Sequence, residues 1–95
     1  MARYLTLIKF TEKGARAIAK STARAAAFRK AATKAGARVE AQYWTSGPYD
    51  GAIIISAADE QKALRCLAAL SAAGNVRTET LQALDAKEFA AISRK

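Results

Sequence analysis

Six side chains in this sequence have the means to do chemistry: Arg29, Trp44, Tyr49, Asp50, Cys66 and Arg77. Tyr49 and Asp50 follow Gly47-Pro48, so a phenol and a carboxylate stand together at a turn. Such a pair can hydrogen-bond a polar ligand or relay a proton. Arg77 and Arg29 can each grip an anion through paired N–H donors. Trp44 can stack on an aromatic ligand. Each also fits a plainer role. Asp50 can satisfy turn amides while Tyr49 packs as a plug on the hairpin. Arg77 can be a solvated edge charge or the partner of Asp50. Trp44 and its neighbour Tyr43 point to opposite faces of a strand, one into a core and one into an interface. Cys66, with no base that the sequence can identify beside it, reads as a small apolar filler.

The chain contains no histidine. That removes the usual zinc sites, haem ligation by imidazole and the Ser-His and Cys-His nucleophile pairs. The expectation is a protein with no metal and no cofactor. A general base would have to be Asp50, Glu40 or Glu79, with Tyr49 assisting. A cofactor-free oxygenase needs little beyond a shaped apolar pocket, so the sequence leaves catalysis open and names no catalytic residue.

The 95 residues make one domain, residues 1–95. A chain this short gains from a partner that covers more of its surface. One cysteine allows no internal disulfide. No apolar run reaches the ~20 residues of a membrane span, and the N-terminus does not read as a secretory signal. The expected compartment is the cytoplasm. The net charge of +8 is unevenly spread: residues 1–38 hold ten Lys or Arg against Glu12 alone. Such a field can attract nucleic acid. A solvated helix face explains it more simply, because no aromatics interleave with the bases and no helix-turn-helix or RNP pattern occurs.

These residues have to be positioned by a short set of elements. Arg3 to Phe10 alternates with both faces apolar, as a central strand does. A helical region runs from a Thr11 cap to about Ala35, with Ile18, Ala25 and Ala32 inward and a break at Ser21-Thr22. In an unbroken helix Arg29 lies near the Ile18 face; a break turns it outward. Val39 to Thr45 is an edge-like strand, with Val39, Ala41 and Tyr43 on one face and Glu40, Gln42 and Trp44 on the other. Gly51 to Ala57 is a strand buried on both faces. Asp59 caps a helix to about Ala73, with Ala63, Leu64, Leu67, Leu70 and Ser71 inward. Val76 to Leu84 is a second edge strand. Asp85-Ala86-Lys87-Glu88 is a capping box for a last helix anchored by Phe89 and Ile92.

This order predicts an α+β, ferredoxin-like βαββαβ fold with a short C-terminal helix. Two helices cover one face of the sheet. The other face would show part of Leu5, Leu7, Tyr43, Trp44, Ile53, Ile54 and Ile55, too much apolar surface for a monomer. A twofold dimer with facing sheets resolves it.

Thr11-Glu12-Lys13-Gly14, Gly47-Pro48-Tyr49-Asp50 and Leu70 to Leu81 (LSAAGNVRTETL) resemble the GYD domain family, small and mostly bacterial proteins named for a Gly-Tyr-Asp signature. The likeness runs from about Ala2 to Ile92. Here Pro48 separates the glycine from Tyr49-Asp50. The resemblance implies a dimeric α+β barrel and supplies no settled reaction. The functional expectation is a homodimeric small-molecule-binding protein. Its pocket would lie between sheet and helices, ringed by Trp44, Tyr49, Asp50 and Arg77, with Arg29 approaching from the helix side. The alternatives are a nucleic-acid-binding module using the basic first helix, a small cofactor-free enzyme, and a purely structural assembly protein.

Overall fold

The computed structural model describes residues 1–94. The elements in chain order are β1 (Ala2–Phe10), α1 (Glu12–Arg16), a 3₁₀ turn (Ile18–Lys20), α2 (Ser21–Lys34), β2 (Ala37–Trp44), β3 (Gly51–Ala57), α3 (Glu60–Ala72), β4 (Val76–Gln82) and α4 (Ala86–Ser93). The strands form one antiparallel sheet in the order β2-β3-β1-β4. The result is a small α+β fold compatible with the ferredoxin-like arrangement, with the two most apolar strands in the middle.

The register explains both faces of that sheet. Tyr4 pairs with Ile55 and Thr6 with Ile53; between them, Leu5 pairs with Ile54 and Leu7 with Ala52. Successive side chains alternate, so the first set points to the helices and the second away from them. Tyr4, Thr6, Ile8, Ile53 and Ile55 are buried with Ala32 of α2 and Ala63, Cys66 and Leu67 of α3. Those three α3 positions lie three and four residues apart, one stripe of a helix. The inward stripe expected of α3 is therefore corrected: Cys66 occupies the inner side, while Leu64 and Ser71 are exposed.

Capping follows the sequence closely. The Thr11 side chain accepts from Gly14 N at 3.2 Å, Asp59 accepts from Lys62 N at 2.9 Å, and Asp85 and Glu88 cap each other's amides at 2.8 Å. Gly14 also lets α1 press against the turn before β4, where a Cβ would lie 2.0 Å from the Asn75 carbonyl oxygen.

Other expectations need correcting besides that of α3. The helix breaks at Ala17–Lys20, ahead of Ser21, and Ile18 sits on the 3₁₀ turn 58% exposed. Ser21 does not cap α2; the N-cap position is Lys20, with no side-chain cap bond. In β2 the register shifts between Val39 and Ala41. This bulge places one extra residue in the strand and re-aims the side chains beyond it. Val39 pairs with Ile55 and Gln42 with Ile53, so Val39, Gln42 and Trp44 share the helix side, while Ala41 and Tyr43 face away. Finally, Phe89 and Ile92 of α4 are 58% and 67% exposed. Their helix is held instead by the Arg3–Glu88 contact and by Ala83 N donating to Arg3 O.

Candidate functional site

Alanine-rich α2 and α3 lie over the sheet with small side chains and leave a cavity of about 380 Å³ between them. Ile8, Phe10, Phe28, Ile53, Leu70 and Val76 supply most of its apolar wall. Its polar groups are few: Ser21, Arg24, Gln42 and Asn75. Gln42 reaches it because the β2 bulge turns that residue to the helix side. At the Ser21 end, Trp44 Nε1 donates to Ser21 Oγ at 3.2 Å, which sets the indole beside the cavity.

Arg24 is the charged residue of the lining. Its Nη1 donates to the Ala17 carbonyl at 3.0 Å, closing the end of α1. Its Nη2 is shielded from solvent and has no hydrogen-bond partner. Arg24 escapes a sequence reading that sets the helix phase from Ile18. Once the helix restarts at Ser21, Arg24, Phe28 and Ala32 stand four residues apart on one line. That spacing is the signal which would have found it.

The candidate residues from the sequence lie elsewhere. Arg29 is exposed, and its Nη1 donates to the Val39 carbonyl at 3.2 Å on the edge of the sheet. Asp50 is part of the strand junction: its carboxylate accepts from Phe10 N at 2.8 Å, and its own N donates to Ile8 O at 2.7 Å. Tyr49 lies on the sheet face opposite the helices. Its hydroxyl donates to Glu79 Oε2 at 2.9 Å, and Lys9 Nζ sits 5.5 Å from its ring centre. The bond to Glu79, then that carboxylate's charge, raises the phenol above its ordinary value. Arg77 pairs with Lys9 across β1 and β4 and is exposed. Of the five candidates, only Trp44 adjoins the cavity. Of the possible bases, Glu40 lies 3.9 Å from Arg3, and Asp50 and Glu79 are engaged as described.

The uncovered sheet face forms a second region. Leu5, Leu7, Ala41, Ala52 and Ile54 are half-buried there, while Tyr43 and Leu81 are 63% and 49% exposed. Arg3, with Glu40 and Glu88, marks one end of this face, and Lys9, Tyr49 and Glu79 mark the other. The basic residues Lys13, Arg16, Lys20, Lys30 and Lys34 are exposed on α1, α2 and the turn between them. No helix among the described residues is long and apolar enough to cross a membrane.

The model of the GYD domain family matches residues 4–93. A protein of Thermus thermophilus named glutamine synthetase and cystathionine beta-lyase binding protein is 30% identical over 92 residues, covering 96% of this chain and 97% of the relative. A crystal structure of a Thermus thermophilus protein superposes with a TM-score of 0.56 at 26% identity, covering 90% of this chain and 96% of the other.

Proposed function

The chain belongs to the GYD domain family, and from that premise we propose that it is a homodimeric small-molecule-binding protein. The carrying observation is the apolar cavity between sheet and helices, with a few polar groups on its wall. Sites for small ligands have this character, and about 300–1,000 Å³ is their usual range. Trp44, hydrogen-bonded to Ser21 of the lining, adjoins the cavity. The homodimer is supported by the apolar sheet face and by Phe89 and Ile92, which are mostly exposed to solvent in the single chain. Two copies related by a twofold axis would bury both features and form a dimeric α+β barrel. Tyr49, Asp50 and Arg77 then lie at or beside the seam, away from the ligand. Native mass spectrometry of the full chain tests this reading. The expected species is two chains, which gain mass when small amphiphiles are supplied. A single chain that takes up none of them overturns it.

A second reading is favoured by the relative's name. This protein would also dock on its host's glutamine synthetase or cystathionine beta-lyase. The exposed bases of α1 and α2 suit an acidic surface on such a partner. Surface binding measured against both enzymes should weaken as salt rises; no binding at low salt removes this reading. A nucleic acid on the same bases would show as an equally salt-dependent mobility shift with DNA or RNA.

A further inference from the structure

The sheet has two edges, β2 and β4, and they are built differently. β2 carries the bulge at Val39–Ala41, and Arg29 Nη1 donates to its Val39 carbonyl at 3.2 Å. Bulges and covering groups are the usual means of closing an edge to another strand. Among the described residues β4 has neither. Its register with β1 runs without a shift from Val76 to Gln82, and most of its residues are exposed. The direction of its amides follows from that ladder. At its two ends Thr11 N donates to Asn75 O at 3.0 Å and Ala83 N to Arg3 O at 2.9 Å. Amides alternate in direction along a strand, so Arg77, Glu79 and Leu81 bond to β1. Val76, Thr78, Thr80 and Gln82 turn their N–H and C=O groups outward. The first three are β-branched residues, which suit a paired strand.

We propose that this edge is an interaction surface for a second copy of the chain, β4 pairing antiparallel with β4 about a twofold axis at Thr78. Charge selects the register. With Thr78 opposite Thr78, Arg77 of each copy stands opposite Glu79 of the other, on the sheet face away from the helices. One step to either side sets Arg77 against Arg77 or Glu79 against Glu79, and like charges directly opposite repel. With Thr80 opposite Thr80, the two charges meet Ala83 and Leu81 and go unanswered. In the matched register Thr78 pairs with Thr78 and Val76 with Thr80, a ladder of about six backbone hydrogen bonds. Arg77 and Glu79 then occupy the sites between those bonds, where side chains approach most closely. Glu79 keeps an oxygen for the contact, since Tyr49 donates to Oε2 and leaves Oε1. The edge is separate from the cavity and from the apolar face, so this proposal does not rest on the small-molecule reading. It covers little surface and forms at higher protein concentration than a contact through the apolar face.

Sedimentation of the full chain over a wide concentration range tests it. The mass per particle should double at the concentrated end. Arg77→Glu alone and Glu79→Arg alone each set like charges opposite one another and should weaken the doubling roughly tenfold to a hundredfold. Mixing the two variants matches every charge again and should restore it, as should Arg77→Glu combined with Glu79→Arg in one chain. Thr78→Pro removes an N–H that points away from β1, so the protomer keeps its ladder and the doubling should disappear. The mixing experiment stands without the proline variant should that one fail to fold. A mass that does not double at any concentration overturns the proposal, as does doubling that survives Thr78→Pro. A mixture that associates no better than either variant alone overturns the Thr78 register.

Discussion

The two faces of the sheet are made by the same strands and end in different surroundings. Toward the helices, Ile53 and Ile55 are fully buried, and the space left by the alanines of α2 and α3 is a cavity. Away from the helices, Leu5, Leu7 and Ile54 are covered only by each other and by neighbouring strands. Alternation makes both faces apolar, and chain topology decides which one is covered. The contrast separates the face that holds the chain together from the face that the chain leaves open.

Removing methylenes from each face is the strongest way to test that separation. Ile55→Ala should cost about 2–5 kcal/mol in urea unfolding, as buried large-to-small changes do. Ile54→Ala, one residue along on the other face, should cost clearly less in dilute protein. Its deficit against wild type should grow with concentration if a second copy covers that face. Equal and concentration-independent losses would erase the distinction between the faces. Charge sharpens the same point. Leu7→Glu sets a carboxylate beside Ala52 and Glu79 on the uncovered face. The expected product keeps its far-UV circular dichroism and scatters light as one chain, while the proposed wild-type dimer should scatter as two.

The next effect is smaller and separates structure from ligand chemistry at Asp50. Asp50→Ala removes the acceptor for Phe10 N. Stability should fall by about 1–3 kcal/mol, the cost of an unsatisfied amide. Uptake of small amphiphiles by the folded fraction should stay the same. A variant of unchanged stability with weakened ligand binding would return Asp50 to the ligand site.

Much of the fold is legible because its signals are local. Period-two alternation marks β1 and β3, and Thr11, Asp59 and the Asp85–Glu88 box mark helix starts by side chains that cap their own amides. The cavity is less legible because two small irregularities set its lining. One extra residue at the Val39–Ala41 bulge moves Gln42 and Trp44 to the helix side. The break at Ala17–Lys20 resets the phase of α2, which carries Arg24 inward and Arg29 outward. Neither has a residue signature as plain as a glycine or a cap. Tyr49 stands out in the sequence as a phenol beside a carboxylate, yet its ring lies by Lys9 on the uncovered face. Phe89 and Ile92 form the apolar stripe that their spacing predicts, but a stripe in sequence does not say which molecule it packs on.

The smallest expected effect concerns the tie between α4 and the end of the uncovered face. Glu88 accepts from Asp85 N at 2.8 Å and from Arg3 Nη1 at 2.7 Å. The Asp85 amide first, and Arg3 second, hold the Glu88 carboxyl below its ordinary value of 4.5. A carboxyl with a lowered folded-state pKa binds its proton more readily in the unfolded chain. Its stabilisation is therefore complete above the ordinary value and drains away as pH falls through the lowered one. Arg3, raised chiefly by its bond to Glu88, stays charged throughout that range. The pair is partly exposed, so salt should weaken it and the gain is modest. Lowering pH from neutral to about 3 should loosen α4 ahead of the core. Amide and aromatic NMR signals of Phe89 would shift before those of Ile55. Glu88→Gln should remove most of that early step while leaving the core transition in place. An acid step of unchanged size in Glu88→Gln would mean that α4 is held to the sheet by something other than this carboxylate.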